Sequence, residues 1–366
     1  MKEKIKQLSI EEKVGQMFII GVNKTNPIQL IENYILKNKV GGILLYKKNY
    51  KNLKELIDLV NYIKKINTVN PVPIFISTDQ EGGRVNRMPR ELENLPSSYK
   101  LAQSEDENIV KQAGDIVGNM MHNLGFNLNL APVLDIKRFP DDHVIGDRAF
   151  SEDKEIVFQK GQEYFEQIEK YGIIPVIKHF PGHGATTKDS HFGIPLIKGK
   201  NKELLEKEDK YPFEQMLKRK IDGVLVGHLK IEGQTGGYPA TMSRKFVTKY
   251  IRKKYRYNGL LFTDDMRMGG VRRRYGKNRA VKMAFYSGYD IIVLKGIEND
   301  NVISEIVEEV KKSSLLQARV DRSVNRILKA KEKFEIQDKE TIIPEGFIEE
   351  INNNVKNIRE KVGLKN

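Results

Sequence analysis

The chain of 366 residues contains no cysteine. That absence removes disulfide scaffolds, zinc–thiolate sites, iron–sulfur clusters and cysteine nucleophiles together. No apolar run approaches the roughly 18 to 20 residues that span a bilayer, so no membrane partner is expected. The opening residues Met1-Lys2-Glu3-Lys4-Ile5 have no apolar stretch after their charges. A secretory signal requires one, and the expected location is the cytoplasm. Thirteen prolines and 29 glycines are ordinary usage, which excludes collagen-like and low-complexity classes.

What the chain does have is charge, with 63 basic against 49 acidic residues and a net charge of +14. Such an excess can mark a nucleic-acid or anionic surface. Here the basic residues are scattered, as in 51–65, 200–220 and 245–254, with acids mixed into most of these stretches. Arg272-Arg273-Arg274 forms a tight cluster. Neither RNA-binding aromatic signatures nor zinc-finger spacing is present. The charge reads as solvated helix faces, and no nucleic-acid partner is expected.

Short apolar, β-branched runs recur at 17–22, 41–46, 73–78, 127–134, 174–179, 223–228, 259–263 and 290–294. They are continuous rather than alternating, which suits parallel strands buried on both faces. Helical patterns lie between them, at 52–66, 107–123, 153–170, 202–218, 244–254, 279–287 and 302–311. Leu53, Leu56, Ile57, Val60 and Ile63 show the helical spacing most clearly. Ser151 ahead of Glu152-Asp153-Lys154 resembles a helix start, and Gly172 a helix stop. Eight strands alternating with helices predict an α/β fold, a single-domain (β/α)₈ TIM-type barrel. A doubly wound open sheet competes, but it would want a G-x-G-x-x-G turn, and Gly82-Gly83 lacks that spacing. The expected division is a barrel over 1–337 and an appended helix over 338–366.

In such a barrel, catalytic groups sit at the C-terminal ends of the strands. The third run ends in Asp79-Gln80-Glu81, the fourth in Asp135, the fifth in Lys178-His179, the sixth in His228 and the seventh in Asp264-Asp265. Buried charge is costly without a partner, so five such ends on one rim predict a polar pocket. The densest stretch is Lys178-His179-Phe180-Pro181-Gly182-His183-Gly184 followed by Asp189-Ser190-His191. It holds three of the chain's six histidines within 13 residues. His179, His183, Asp189 and His191 could ligate a divalent metal, or Asp189 could polarise His191 as a proton donor. The Pro-Gly-His-Gly turn breaks helical geometry, so two ligands on one helix face are not formed, and no metal is expected. His183 could instead brace the loop. At Asp264-Asp265 a nucleophile and its support compete with a helix cap, the latter most readily at Asp265.

Taken together, these residues resemble the β-N-acetylglucosaminidases of glycoside hydrolase family 3. The resemblance rests on the 178–184 stretch with Asp189-Ser190-His191, on Thr263-Asp264-Asp265-Met266 and on Asp79-Gln80-Glu81-Gly82-Gly83-Arg84-Val85. Ala131-Pro132-Val133-Leu134-Asp135, the 144–151 stretch and Pro239-Ala240-Thr241-Met242-Ser243 match as well. The matches run in family order from about Glu12 to Phe334. The resemblance implies a retaining exo-hydrolase acting on terminal β-linked N-acetylglucosamine in muropeptides or chitooligosaccharides. It implies Asp264 as nucleophile, His191 as general acid/base and Asp189 as its partner. Asp79, Arg87, Arg148, Lys178 and His179 would grip the sugar. No cofactor is implied, and a monomer is expected. Retention normally uses two carboxyl groups about 5 to 5.5 Å apart, and here an imidazole would replace one. Its unperturbed pKa of about 6.5 suits both giving and taking a proton.

Two other readings stay open on the sequence. A histidine acid/base avoids the repulsion a carboxylate would impose on phosphate, so the same site could act as a phosphorylase. A non-catalytic, basic nucleic-acid-binding barrel conflicts with acids at the strand ends, which would repel phosphates. The basic stretch around Arg272 to Arg274 would favour an acidic leaving group, or be a solvated helix start.

Overall fold

The computed structural model describes residues 2–22, 25, 27–139, 143–186, 193–296 and 301–364. Its strands are β1 (Phe18–Gly21), β2 (Gly42–Leu44), β3 (Phe75–Thr78), β4 (Leu128–Asn129), β5 (Ile174–Phe180), β6 (Leu196–Ile197), β7 (Gly223–Val226), β8 (Lys230–Ile231), β9 (Leu260–Thr263) and β10 (Ile292–Lys295). Eight of them form one sheet in the order β10-β1-β2-β3-β4-β5-β7-β9. Every pairing is parallel, as in Phe18 opposite Ile292 and Val224 opposite Leu261. A parallel bridge from Phe262 to Ile291 and the bond from the Thr263 amide to the Ile291 carbonyl, 3.0 Å, close β9 onto β10. The result is the expected (β/α)₈ barrel, and each predicted apolar run overlaps one barrel strand. Strands covered on both faces must be apolar throughout, and β1, β2, β3, β7 and β9 are buried at every position.

The helices form the outer layer. The helix Leu53–Asn67 starts where the Asn52 side chain accepts the Glu55 amide at 2.9 Å, and it buries Leu56, Val60 and Ile63. The helix Lys154–Lys170 is capped by Asp153, not Ser151. The Ser151 hydroxyl instead accepts the Asp153 amide at 3.1 Å, two residues upstream of the cap. The 202–218 pattern is not one helix. It divides into an α-helix Lys200–Leu204, a wide turn Leu205–Asp209 and a helix Tyr211–Lys218. Pro212 explains the break, because proline has no amide to donate and fits only in a helix's first turn. The small pair β6 and β8, outside the barrel, has no strong sequence signal.

The N-terminal end of the barrel is closed from below by the helix Ser314–Lys333. The Lys331 ammonium group reaches the Gln16 side chain at 2.8 Å, the Gly41 carbonyl at 3.2 Å and the Pro73 carbonyl at 2.5 Å. It also lies 4.2 Å from the centre of the Phe75 ring. The tail is woven into the same end. Asp338 accepts the Ile74 amide at 3.0 Å and the Asn67 side-chain amide at 2.6 Å, and Thr341 accepts from Lys64 at 2.7 Å. A last helix, Phe347–Lys361, buries Phe347, Ile351, Val355 and Ile358. Many surface lysines meet acids across helix faces, as Lys282 does with Glu305 at 2.7 Å and Lys311 with Glu11 at 2.7 Å. No described helix is long and apolar enough to cross a membrane.

Candidate active site

A cavity of about 330 Å³ opens at the C-terminal end of the strands. Asp79, Arg87, Arg148, Lys178, His179 and Asp264, all singled out from sequence, line it together. Asp189 and His191 lie outside the described residues. Of the five strand ends expected on the rim, three line the cavity. Asp135 and His228 are fully buried behind it.

The floor is an ion network around Glu81, which the sequence reading left as part of a motif. The Arg148 Nε and Nη2 atoms each lie 2.8 Å from the Glu81 carboxylate, and the Lys178 Nζ lies 2.6 Å from it. Lys178 also donates to Asp79 at 2.8 Å. The Glu81 and Lys178 side chains are each 3% exposed. Burial alone would raise the Glu81 pKa, but the Arg148 and Lys178 charges outweigh it and hold the carboxyl well below the usual range. Arg148 is pushed upward by the same pairing, again against burial. The two partners agree in direction, so Glu81 and Arg148 are both charged. An ammonium group has three hydrogens and a guanidinium five. Lys178 uses two here, and Arg148 spends three on Glu81 and the Val144 carbonyl. Both keep donors for a ligand.

Backbone bonding explains why these groups converge. The Asn129 side chain accepts the Gln80 amide and donates to the Gln80 carbonyl, both at 3.0 Å, which fixes the chain just after Asp79. The Gln80 side chain in turn accepts the Arg87 amide at 2.8 Å, and the Tyr50 hydroxyl donates to the Arg87 carbonyl. Asp135 acts from behind. Its carboxylate accepts the His179 amide at 3.1 Å, the His179 Nδ1–H at 2.7 Å and the His183 amide at 2.6 Å. Burial works to raise the Asp135 pKa, and the two histidines overcome it and hold it low. The His179 ring is therefore fixed in one orientation, with Nε2 as its remaining polar atom. His183 is 3% exposed and contributes to the cavity wall, and its amide ties the loop to Asp135.

The two aspartates after β9 differ in environment. The Asp265 carboxylate accepts the Arg267 amide and the Lys295 amide, each at 2.9 Å, and so ties the loop after β9 to β10. Burial raises its pKa, the two amides partly offset this, and the neighbouring Asp264 charge adds to the rise. Asp264 lines the cavity, donates its amide to the Val226 carbonyl at 3.0 Å and accepts the Asp265 amide at 2.8 Å. His228 supports the pair. Its Nε2 donates to the Asp265 carbonyl at 3.0 Å, and its Nδ1 shares a hydrogen bond of 2.7 Å with the Thr241 hydroxyl. No strong signal in the sequence marked Tyr46 and Lys295, which also line the cavity. Lys295 lies 5.5 Å from the centre of the Tyr46 ring. Burial and the surrounding Asp265 and Asp79 charges keep the Tyr46 hydroxyl protonated. Among the described residues no cluster of three or more histidine, aspartate and glutamate side chains is arranged to hold a metal ion.

Residues 9–330 match the family model described as the glycosyl hydrolase family 3 N-terminal domain. The chain belongs to this family. Among its relatives is the β-hexosaminidase LpqI of Mycobacterium tuberculosis, 32% identical over 332 residues, which spans 87% of this chain and 82% of LpqI. A β-hexosaminidase of Tolumonas auensis is 32% identical over 266 residues, 72% of this chain and 78% of that protein. The solved structure of a family 3 β-N-acetylglucosaminidase from Paenibacillus sp. superposes with a TM-score of 0.87 at 28% identity. That superposition covers 97% of this family 3 chain and 69% of the Paenibacillus chain.

Proposed function

We propose that the protein is a retaining exo-β-N-acetylglucosaminidase that removes a terminal, non-reducing N-acetylglucosamine from peptidoglycan fragments. The observation that carries this reading is the Asp264 carboxylate on the wall of a cavity that it shares with Lys178, Arg148 and His179. Relatives named β-hexosaminidase support it.

In the first step an Asp264 oxygen attacks the anomeric carbon, and the bond to the leaving oxygen breaks. That oxygen takes a proton from the His191 imidazolium, whose charge Asp189 stabilises. In the second step water gives a proton to the now neutral His191. The water oxygen attacks the anomeric carbon, and the ester to Asp264 breaks. Two inversions return the β configuration. Asp79, Arg87, Arg148, Lys178 and His179 hold the ring for in-line attack, with Lys178 and Arg148 using their spare donors. A volume of about 330 Å³ is at the small end of ligand sites, which suits one terminal sugar. Lys295 sits at the mouth with no carboxylate at ion-pair distance among the described residues. With the exposed Arg272, Arg273 and Arg274, it favours an acidic aglycone such as a muramic acid.

The test is a panel of aryl β-glycosides that differ at the sugar 2-substituent, each run with and without inorganic phosphate. Free N-acetylglucosamine in both buffers, with turnover lost when the acetamido group becomes a hydroxyl, is the expected result. Sugar 1-phosphate as the main product would assign a phosphorylase. No turnover of any member, with salt-sensitive retention on DNA, would overturn the enzymatic reading.

A further inference from the structure

The stretch that follows β5 is seated on a second buried carboxylate, besides Asp135. Asp209 ends the wide turn Leu205–Asp209, and its side chain is fully buried. Gly182 has φ +122°, and a Cβ there would lie 2.6 Å from the Asp209 Cβ. A Cβ on Gly184 would lie 2.4 Å from the Asp209 Oδ1 atom and 2.5 Å from the Ile136 carbonyl oxygen. Neither position admits a side chain without displacing Asp209 or its surroundings. The glycines of this loop are thus explained by the carboxylate beneath them. Between Gly182 and Gly184 stands His183, which walls the cavity.

The charge on Asp209 is only loosely compensated. Its Oδ1 atom lies 3.4 Å from the Arg138 Nε, and among the described residues its Oδ2 has no hydrogen-bond partner. Among the same residues the Arg138 Nη2 is also buried without one. A buried pair with unsatisfied atoms on both sides gains little beyond its Coulomb attraction. Removing either charge leaves the other buried and unopposed, and the backbone packed on the pair must then shift.

We propose that Asp209 is a positioning residue for the proposed glycosidase: in its charged form, opposite Arg138, it holds the 182–185 segment, and with it His183, against the sugar cavity. This rests on the functional reading above. Arg138 and Asp135 from the loop after β4 and Glu208 from its own turn are the charges that act on it. Burial pushes its carboxyl up to about 6, Arg138 opposes that rise, and Asp135 and Glu208 add to it. The holding charge is therefore lost within an accessible pH range.

The experiment measures kcat and KM against pH for an aryl β-N-acetylglucosaminide with the wild type, Asp209→Asn, Arg138→Gln and Glu208→Gln. In the wild type kcat rises through the pH at which Asp209 loses its proton. Asp209→Asn should lower kcat about tenfold or more at neutral pH, leave KM nearly unchanged, and lose that step. Arg138→Gln should move the step to higher pH, since an opposing positive charge is gone. Glu208→Gln should move it to lower pH. Glu208 is a partly exposed side chain, 35% accessible, so this variant decides the matter even where the buried substitutions impair folding. A step that stays in place in Glu208→Gln, or a folded Asp209→Asn with wild-type kcat and step, would overturn the proposal. A wild type without glycosidase activity at any pH would instead defeat the functional reading on which it rests.

Discussion

Replacing Glu81 by Gln would remove the charge at the centre of the cavity floor. Three charge-assisted contacts of 2.6 to 2.8 Å, two from Arg148 and one from Lys178, meet on this carboxylate. Removing one member of a buried ion group costs about 3 to 5 kcal/mol. Glutamine keeps the shape and one accepting oxygen, so the lower end, about 3 kcal/mol, applies. At roughly 2 °C per kcal/mol for a chain of this size, the melting temperature should fall by about 6 °C. The pH dependence follows from the sign of the shift. A carboxyl held low in the fold stabilises fully above its unfolded pKa of about 4.5 and loses that contribution progressively as pH falls from there through its lower folded value. The gap between wild type and variant should therefore stay constant from about pH 6 to 8. Lys178 and Arg148 would also lose their fixed positions, so KM for an N-acetylglucosaminide should rise about tenfold. Thermal melts at several pH values and steady-state kinetics measure all three effects. A variant that melts within about 1 °C of wild type with unchanged KM would refute the reasoning.

Changing His191 to Ala should reduce turnover of substrates with poor leaving groups far more than of activated aryl glycosides, since only the former need protonation; equal losses would argue against an acid role. Lys331→Met should remove a pH slope in stability. Burial lowers the Lys331 pKa to about 7 from the usual lysine value, so the unfolded chain binds more protons above that pH, and wild-type stability should rise from about pH 7 toward 10. The difference in unfolding free energy between wild type and variant, from denaturant titrations, should follow that rise; a difference independent of pH would contradict it. A chain ending at residue 337 loses the Asp338 and Thr341 contacts and the helix Phe347–Lys361. It should remain folded but melt at lower temperature by circular dichroism, and an unchanged melt would show the tail to be dispensable.

The barrel was legible because strands such as Phe18–Gly21 and Leu260–Thr263 are covered on both faces and must be apolar throughout. Asp79, Lys178, His179 and Asp264 were legible because charged groups at the ends of such strands have few other places to go, whereas Arg87 and Arg148 were marked only by the family resemblance. What the pattern could not separate was a side chain facing the cavity from one standing behind it. Asp135 and His228 end apolar stretches just as Asp79 does, yet their hydrogen bonds run to His179, His183, Thr241 and the Asp265 carbonyl. Glu81, two residues after Asp79, was passed over because its importance lies in partners at 148 and 178, remote in sequence. Lys295 and Tyr46 carry no motif, and reach the cavity only because β10 and β2 are near neighbours around the barrel. The helical period of 202–218 hides the break, because Pro212 interrupts the amide ladder without disturbing the apolar spacing.

The most direct test of the account is to trap the sugar on the enzyme. A fluorinated N-acetylglucosaminyl fluoride slows breakdown of a glycosyl ester more than its formation. After incubation and proteolysis, mass spectrometry should find one added sugar on the peptide containing Asp264, with the ester on that residue and not on Asp265. Inactivation with the sugar on another residue, or steady hydrolysis by inversion with no adduct at all, would contradict the assignment of Asp264 as the nucleophile.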